Sequence, residues 1–554
     1  MSFLKIVNGI DTFRGIRENN LCYIDKSMLL SEFLNNIPQQ VSLITRPRRF
    51  GKTLALDMMY EFFDITKDSI ALFKDLEIYK DASLCNTWMN KYPTIFISFQ
   101  DIEGDSYSEC VRQYADIIGR LISDMAYLYE SQHVRQRYKE ILSKLESNSF
   151  DTVYLQKALL YLSNALEEHW GKQVILLIDE YDIPLLNASE LSFYPELMKF
   201  FRGVIRSACK GNNSLKFAVM TGALRISKES IFTGANNFTC YSINDVEFSD
   251  KFGFTDNEVN SLLRDADLLD KKALLKEWYD GYIFGSNTEI YCPWDILQYI
   301  RSAQIDNNAI PKTYWNNTSG NIIVKHIVEK SNYDTQTKLE TLLDDKTITI
   351  ELAEDLTYDS LYDNDDSLWT VLYLSGYLTK SSLQPTDGRL SLTIPNKEIK
   401  KIFIKTIKTW FEKAIKKEDL SVFLKALWNG DAETLQNELT RILYETISYY
   451  DSAENFYHGF MAGIFAGAGL LVDSNKESGK GRPDLIVIDG PGRRAAVIEL
   501  KHAADPRQLE ALAEQAFRET QTLSYAKGRI ARLKSVLCYG IAFCRKDCAV
   551  SLHS

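Results

Sequence analysis

Short apolar runs separated by helical patterns organise the first 240 residues of the chain. Residues 40–46, 94–98, 173–180 and 215–222 are apolar and rich in β-branched side chains. The last two runs show no polar alternation, which is typical of strands buried on both faces. A long amphipathic helical pattern covers residues 108–169. Strands that alternate with helices in this way predict an α/β fold with a parallel sheet.

The pattern changes after about residue 249. Helices are joined there by aromatic-rich connections, and residues 368–404 predict a helix, a β-wing and a second helix. After residue 451 the predicted order is helix, three strands, helix and strand (αβββαβ), which is a complete small α/β unit. Because 554 residues exceed what one core can bury, we predict several domains. They are an N-terminal α/β domain (1–245), a helical and winged-helix-like middle region (246–450) and a C-terminal αβββαβ domain (451–554).

Composition and charge narrow the class of protein. The net charge of −11 argues against a protein that coats nucleic acid with its whole surface, although residues 451–554 hold fourteen Lys and Arg against twelve Asp and Glu. Nine scattered cysteines without a CxxC pair, with only six histidines, indicate neither a zinc site nor a disulfide framework. The N-terminus lacks a signal-peptide pattern, and the weakly polar stretch 459–472 is too short for a membrane span. We therefore expect a cytoplasmic protein with no membrane contact.

A phosphate-binding loop is predicted between the first strand and the helix that follows it. The segment RPRRFGKT (46–53) ends in the last three positions of the Walker A pattern, and Arg46 replaces its first Gly. In such a loop, backbone N–H groups and the helix N-terminus bind phosphate, Lys52 reaches the β/γ oxygens and Thr53 binds Mg²⁺. The predicted nucleotide-binding residues of the loop are Arg48, Arg49, Phe50, Gly51, Lys52 and Thr53.

Two further strand ends fit the same chemistry. The apolar strand at 173–180 ends in Asp179 and Glu180; in P-loop ATPases the Asp holds Mg²⁺ and the Glu polarises the attacking water. The strand at 215–222 places Thr221 where a γ-phosphate sensor would lie. Arg225 follows as a nucleotide contact, and a structural salt bridge explains it equally well. The sequence thus predicts ATP and Mg²⁺ as cofactors, with Thr53 and Asp179 at the metal.

A second constellation lies in the C-terminal domain. Asp484 begins one predicted strand and Glu499 ends the next, with a Gly-Pro-Gly turn at 490–492 between them. Glu499 and Lys501 are two residues apart, so they point to the same face of the strand. Asp484 and Glu499 would supply oxygen ligands for Mg²⁺, and Lys501 would orient or activate water. Glu454, on the preceding helix, is a candidate further ligand, and a solvated Glu at the helix start is the alternative.

A set of ordered motifs spans nearly the whole chain and resembles one family of proteins. The chain is similar to AAA-ATPase-like proteins that carry a C-terminal PD-(D/E)xK nuclease-superfamily domain. The resemblance implies a P-loop ATPase core in which RPRRFGKT is the usual form of the loop. The motifs are YIDKS (23–27), LITRPRRFGKT (43–53), LIDEYDIP (177–184), TGALRISKESIFTGANN (221–237), WYDGYIFG (278–285), YWNNTSGN (314–321), IPNKEI (394–399), FYHGFMAG (456–463), ESGKGRPDLIV (477–487) and VIELK (497–501).

Three functional hypotheses follow from these residues. The first is an ATP-binding and ATP-hydrolysing protein coupled to a Mg²⁺-dependent DNA endonuclease-like domain, in which ATP rearranges the middle region and gates the nuclease. The second is a nucleotide-dependent switch or defence sensor whose nuclease-like domain binds DNA without cleaving it. The third is a signalling ATPase with no nucleic-acid partner. ATP and DNA are the expected partners, and an oligomer is compatible with the sequence.

Overall fold

The computed structural model forms two compact units. One comprises Met1–Tyr314 with Ile350–Leu390, and the other comprises Trp315–Thr349 with Ser391–Ser554. Within the described part of the chain, no helix has both the length and the apolar character needed to cross a bilayer. The structure describes residues 4–7, 10, 12–35, 40–147, 151–224, 237–315, 333–353, 365–415, 419–446, 454–473, 483–522 and 533–552.

The first unit is built on a five-stranded sheet in which every neighbouring pair is parallel. The strand order is β2-β3-β4-β1-β5. The four strands that the apolar runs predict are all present, so the predicted parallel α/β sheet is confirmed. The fifth strand was not predicted, because its four residues are only half-buried and form no apolar run. The strands are β1 (Val41–Thr45), β2 (Thr94–Ser98), β3 (Val174–Asp179), β4 (Leu215–Gly222) and β5 (Phe238–Tyr241).

The helix Lys52–Phe63 follows the first strand and covers one face of this sheet. Its side chains Leu56 and Met59 are fully buried in a core that also contains Ile44 of β1 and Leu177 of β3. Burial of such a side chain contributes about 1.5–3 kcal/mol, so this contact holds the helix against the sheet. The other helices before β5 are Phe13–Glu18, Met28–Asn35, Ile70–Phe73, Ala82–Trp88, Tyr107–Asp124, Tyr127–Glu130, Gln136–Glu146, Thr152–Gln156, Ala158–Trp170, Ile183–Ala188 and Tyr194–Cys209, with a 3₁₀ turn at Glu77–Lys80.

A small antiparallel sheet of order β6-β8-β7 follows in the same unit. Its contact with the predicted phosphate-binding loop is close: the Phe50 ring centroid lies 5.1 Å from that of Tyr282 and 5.4 Å from that of Phe284. A Cβ on Gly253 would lie 2.2 Å from Ile290, so only glycine fits there. The elements are β6 (Phe254–Thr255), β7 (Tyr282–Phe284) and β8 (Thr288–Tyr291), the helices Asp256–Asp265, Lys272–Tyr279 and Pro293–Ile305, and a 3₁₀ turn at Leu269–Lys271.

The middle of the chain supplies mostly helices. The predicted helix, wing and helix over residues 368–404 correspond to Asp365–Leu374, two short strands and Lys397–Ile415. Much of the acidic segment 355–366 lies outside the described residues. The remaining elements of this region are Tyr333–Leu343, β9 (Ile348–Ile350), β10 (Thr379–Lys380), β11 (Leu390–Thr393), Ser421–Asn429 and Ala432–Thr446.

The second unit contains a five-stranded mixed sheet of order β12-β13-β14-β15-β16. Only β14 and β15 run parallel; the other pairs are antiparallel. The predicted αβββαβ order is present, but it is one strand short, because β15 turns back at Arg545 into an additional strand. The elements are the helix Glu454–Gly467, β12 (Leu471–Asp473), β13 (Leu485–Asp489), β14 (Arg494–His502), a 3₁₀ turn at Pro506–Gln508, the helix Leu509–Thr522, β15 (Ser535–Cys544) and β16 (Asp547–Ser551).

Candidate functional sites

The position of the first Walker A glycine is occupied by a fully buried side chain. Arg46 donates to the backbone carbonyls of Thr45, Tyr241, Glu247 and Phe248 at 2.8–3.3 Å. Its guanidinium also lies over two aromatic rings, those of Phe252 and Phe284. Burial lowers the pKa of Arg46 to about 10. The arginine therefore ties the loop to the segment after β5, which is a structural role that the sequence did not reveal.

The next residues shape the loop with their backbone. Arg49 and Gly51 have positive φ angles of 68° and 86°, and a Cβ added to Gly51 would meet no atom within 4 Å. Arg48 and Arg49 are half-buried, whereas Phe50 is 1% exposed and packs against the small antiparallel sheet. The loop thus turns its backbone outward at Gly51, directly before the helix Lys52–Phe63.

Lys52 and Thr53 stand at the start of this helix. The ammonium of Lys52 donates to the carbonyls of Arg46 and Pro47 at 3.2 and 3.3 Å and lies 3.4 Å from a carboxylate oxygen of Glu180. The hydroxyl of Thr53 donates to Oδ2 of Asp179 at 2.8 Å. The loop and the end of β3 are therefore in direct contact.

The other oxygen of the same carboxylate meets the neighbouring strand. The hydroxyl of Thr221, near the end of β4, donates to Oδ1 of Asp179 at 2.5 Å. Asp179 is fully buried, and burial together with the adjacent charge of Glu180 raises its pKa. Because parallel strands end at one edge of a sheet, β1, β3 and β4 bring Thr53, Asp179 and Thr221 to one point.

Glu180 follows β3 in a strained backbone conformation. Its φ is 50°, a region that non-glycine residues rarely occupy. One of its carboxylate oxygens, Oε2, is buried and has no hydrogen-bond partner within the described structure. Strain and an unsatisfied buried oxygen at one residue are typical of functional sites.

The two residues after Glu180, Tyr181 and Asp182, are buried and link the segment after β3 to the segment after β4. Asp182 accepts hydrogen bonds from the backbone N–H groups of Ala223 and Leu224, each at 3.0 Å, and the hydroxyl of Tyr181 donates to the carbonyl of Leu224 at 2.8 Å. Burial, with the charge of Glu180, raises the pKa of Asp182 to about 6. Its signal was present in the acidic spacing of LIDEYDIP. Arg225, the next residue along the chain, lies outside the described residues.

The C-terminal constellation lies at the junction of β13 and β14. The pairing of Leu485 with Ile498 places Asp484 opposite Glu499. The backbone N–H of Leu500 donates to Oδ2 of Asp484 at 2.8 Å, and that of Asp484 lies 3.4 Å from Oε2 of Glu499. Burial and the neighbouring Asp484 raise the pKa of Glu499 to about 7. The structure thus brings two carboxylates together, Asp484 directly before β13 and the buried Glu499 in β14.

Lys501 shares a strand face with Glu499 and is held by a side chain from a later helix. Its ammonium lies 2.7 Å from Oε2 of Glu519, in the helix Leu509–Thr522. This helix approaches β15 closely, because Gly540, the partner of Glu499 across β14 and β15, has no side chain to separate them. Sequence reasoning missed Glu519, since no local pattern relates it to Lys501.

The remaining candidate ligand, Glu454, is the first residue of the helix Glu454–Gly467, and its side chain lies outside the described structure. One turn further along this helix, a ring nitrogen of His458 lies 3.0 Å from the backbone carbonyl of Asp484. Among the residues that the structure describes, no three His, Cys, Asp or Glu side chains form a metal-binding group.

Comparison with known proteins agrees with the assignment of two separate sites, one near the N-terminus of the chain and one near its C-terminus. A family model described as predicted AAA-ATPase (AAA-ATPase-like) matches residues 7–232, and a model of the PD-(D/E)XK nuclease superfamily matches residues 452–552. The chain carries an AAA-ATPase-like domain and a PD-(D/E)XK nuclease superfamily domain. A protein of Azotobacter chroococcum mcd 1, described as "Uncharacterized protein in vnfD 5'region", is 23% identical over 512 residues, which cover 88% of each chain.

The residues of the AAA-ATPase-like domain fit a magnesium nucleotide. Open space lies over Gly51, and the buried oxygen of Glu180 lacks a hydrogen-bond donor within the described residues. Thr53 and Asp179 present the hydroxyl and carboxylate oxygens that Mg²⁺ prefers. Proteins with such domains generally use ATP and Mg²⁺, so the donor set and the family agree.

The residues of the PD-(D/E)XK domain fit a divalent cation. Asp484 lies opposite Glu499 across β13 and β14, and burial, together with the neighbouring carboxylate of Asp484, raises the pKa of Glu499. A cation bound to their oxygens would supply the missing positive charge. The two carboxylates are therefore of the ligand type that a divalent cation prefers.

Proposed function

We propose that the chain is a P-loop ATPase that hydrolyses ATP and is coupled to a Mg²⁺-dependent DNA endonuclease. The observation that carries the ATPase assignment is the chain of contacts Thr53–Asp179–Thr221, which joins the loop to two strand ends at 2.8 and 2.5 Å. A chance GKT sequence would not require these three side chains to meet. The domain boundaries at 245/246 and 450/451 and a cytoplasmic location remain part of this proposal.

In the ATPase site, each residue has a separate task. Lys52, now held by two carbonyls and Glu180, would exchange these contacts for β/γ-phosphate oxygens. Thr53 and Asp179 would hold Mg²⁺, which would offset the developing charge on the phosphates. Thr221 keeps the Asp179 carboxylate oriented, and Glu180 would accept a proton from the attacking water. Arg48, Arg49, Phe50 and Gly51 would contribute backbone N–H groups.

In the nuclease site, Asp484 and Glu499 would hold Mg²⁺ and Lys501 would orient the attacking water. The metal would act as a Lewis acid toward the scissile phosphate. The backbone N–H of Leu500 fixes the Asp484 carboxylate, so one ligand is oriented before a metal binds. The phosphodiester class follows from the superfamily, and DNA is the proposed form of that substrate.

The ATPase proposal is tested by separating binding from turnover. Lys52→Ala should abolish ATP affinity measured by calorimetry, whereas Lys216→Ala, an exposed lysine at the start of β4, should leave it unchanged. Glu180→Gln keeps the shape of the side chain but removes the base, so binding should survive while turnover falls about a hundredfold. Equal ATP affinity in wild type and Lys52→Ala would remove the nucleotide from this loop.

The nuclease proposal is tested with linear, branched and single-stranded DNA in Mg²⁺ or Mn²⁺, with and without ATP. Asp484→Asn and Glu499→Gln should abolish cleavage without unfolding the domain. Asp489→Asn is the matched control, because this carboxylate pairs with Arg494 at the other end of β13. A dependence of cleavage on ATP that Lys52→Ala removes would support coupling, and cleavage independent of ATP would contradict it.

One observation favours the second candidate, a nuclease-like domain that binds DNA without cleaving it. The ammonium of Lys501 is already paired with Glu519 at 2.7 Å, and this pair offsets the positive charge that a catalytic lysine would offer to a substrate. The variant Glu519→Gln separates the two candidates. If Lys501 is catalytic, releasing it should maintain or increase metal-dependent cleavage; if the domain only binds, wild type and variant should both bind DNA and leave it intact.

A further inference from the structure

An exposed tryptophan lies beside the phosphate-binding loop. Trp294 is 37% exposed, although its neighbours Cys292, Asp295 and Ile296 are at most 1% exposed. The guanidinium carbon of Arg49 lies 4.7 Å from the centroid of the Trp294 ring. A large apolar side chain on well-buried backbone, next to a loop residue, is a defined feature rather than a frayed surface position.

The position of this indole relative to the loop is fixed from several sides. The thiol of Cys292 donates to the backbone carbonyl of Arg49 at 3.8 Å, and Arg49 donates to the carbonyl of Tyr314 at 2.7 Å. Pro293 begins the helix Pro293–Ile305 and restricts its first turn. The strand β7, which precedes this helix, packs on Phe50 of the same loop. The ring and the loop therefore belong to one packed assembly.

The chemistry of this pair suits a nucleobase. A nucleotide whose phosphates lie on the loop must place its sugar and base on the adjoining surface. An indole face and a planar guanidinium both stack on the π-face of a base, and such stacking does not depend on the hydrogen-bonding pattern of that base. The Arg49 guanidinium lies over the Trp294 ring, 4.7 Å from its centroid, and the indole remains 37% exposed, so a base would stack on the outer surface of this pair.

We infer that Trp294 and Arg49 form the platform on which the purine base of the bound nucleotide stacks. This inference rests on the proposed nucleotide site at Lys52 and Thr53. Stacking depends on the contact area of the base and not on the hydrogen-bonding groups at its edges. The platform therefore favours purines over pyrimidines and distinguishes adenine from guanine only weakly. Arg49 thus contributes its backbone to the loop and its side chain to the base.

The test compares ligands with and without a base, all in the full-length chain with Mg²⁺. Calorimetry with ADP, GDP and inorganic pyrophosphate should show that Trp294→Ala weakens ADP and GDP binding by about tenfold or more and leaves pyrophosphate affinity unchanged. Trp294→Phe keeps an aromatic face and should restore most of the affinity. ADP should also change the tryptophan fluorescence of wild type, and this change should be absent in Trp294→Phe.

A matched control is available in the other compact unit. There the guanidinium carbon of Arg494 also lies 4.7 Å from the ring centroid of a tryptophan, Trp428. Trp428→Ala should leave the affinity of all three ligands unchanged. Unchanged ADP affinity in Trp294→Ala, or an equal loss of ADP and pyrophosphate affinity, would overturn the base platform while the nucleotide site stands. Wild type that binds neither ADP nor pyrophosphate would instead refute the proposed function itself.

Discussion

Gly540 makes the close approach between β15 and the helix Leu509–Thr522 possible, and adding one methyl group there should displace the helix. A Cβ on residue 540 would lie 2.1 Å from the carbonyl oxygen of Ala513 and 2.2 Å from the backbone nitrogen of Phe517. Ordinary contact begins at 3.4 Å, so the helix backbone must move by more than about 1 Å, since no flexible side chain can yield instead. Overpacking of this kind typically costs about 1–3 kcal/mol.

The same movement would lengthen the 2.7 Å ion pair between Lys501 and Glu519. Hydrogen exchange measured by mass spectrometry on the full chain is the suitable assay, because two compact units need not unfold in one transition. Peptides from residues 509–522 of Gly540→Ala should exchange about tenfold to a hundredfold faster, and peptides from the helix Lys52–Phe63 should not change. Gly490→Ala is the control, because nothing lies within 4 Å of its added Cβ. Wild-type protection of residues 509–522 in Gly540→Ala would refute this packing argument.

Three further predictions follow from buried polar groups of the first unit. Burial raises the pKa of Asp182 to about 6 from an ordinary 3.8, so this group makes the free energy of unfolding of the wild type fall as the pH rises from 3.8 to 6. The variant Asp182→Asn should lack this loss. In urea titrations its free energy of unfolding, relative to that of the wild type, should rise by roughly 2–3 kcal/mol between pH 4 and pH 7. Thr221→Val leaves Oδ1 of Asp179 without its 2.5 Å donor, which should cost about 1–3 kcal/mol by the same assay, and an unchanged midpoint would contradict it. Arg46→Met leaves several backbone carbonyls without their hydrogen-bond donor. It should therefore lower the thermal midpoint more than Arg48→Met does, measured by differential scanning fluorimetry.

The strands that the sequence predicts share one property: their buried positions are consecutive apolar residues, which form a recognisable run in the sequence. β3 and β4 are apolar without alternation because both faces of a central parallel strand are covered, and their registers bring Asp179 and Thr221 to the same edge. β5 and β16 lack that property. β5 is half-buried along its whole length, and β16 is a five-residue return strand, so neither carries a local pattern stronger than that of a loop.

Arg46 illustrates a different limit. The sequence shows only that an arginine stands where Walker A has glycine, and the motif assigns that position no side-chain task. Its partners, the carbonyls of Tyr241, Glu247 and Phe248, lie 195–202 residues further along the chain. Every residue has a backbone carbonyl, so the sequence does not indicate which carbonyls will accept hydrogen bonds from Arg46. Such a contact is predictable only once the path of the chain after β5 is known.

The C-terminal site lies between these two cases. Strand alternation places Glu499 and Lys501 on one face, and the short turn after β13 sets Asp484 opposite Glu499, so their proximity follows from local rules. The ion pair of Lys501 with Glu519 does not follow from local rules, because it requires the helix Leu509–Thr522 to pack in one particular position on β14 and β15. Gly540 allows the helix to approach this closely because it has no side chain. The environment of the proposed catalytic lysine is therefore decided by a glycine on the neighbouring strand, which is why a motif that names only the acids and the lysine leaves its activity open to experiment.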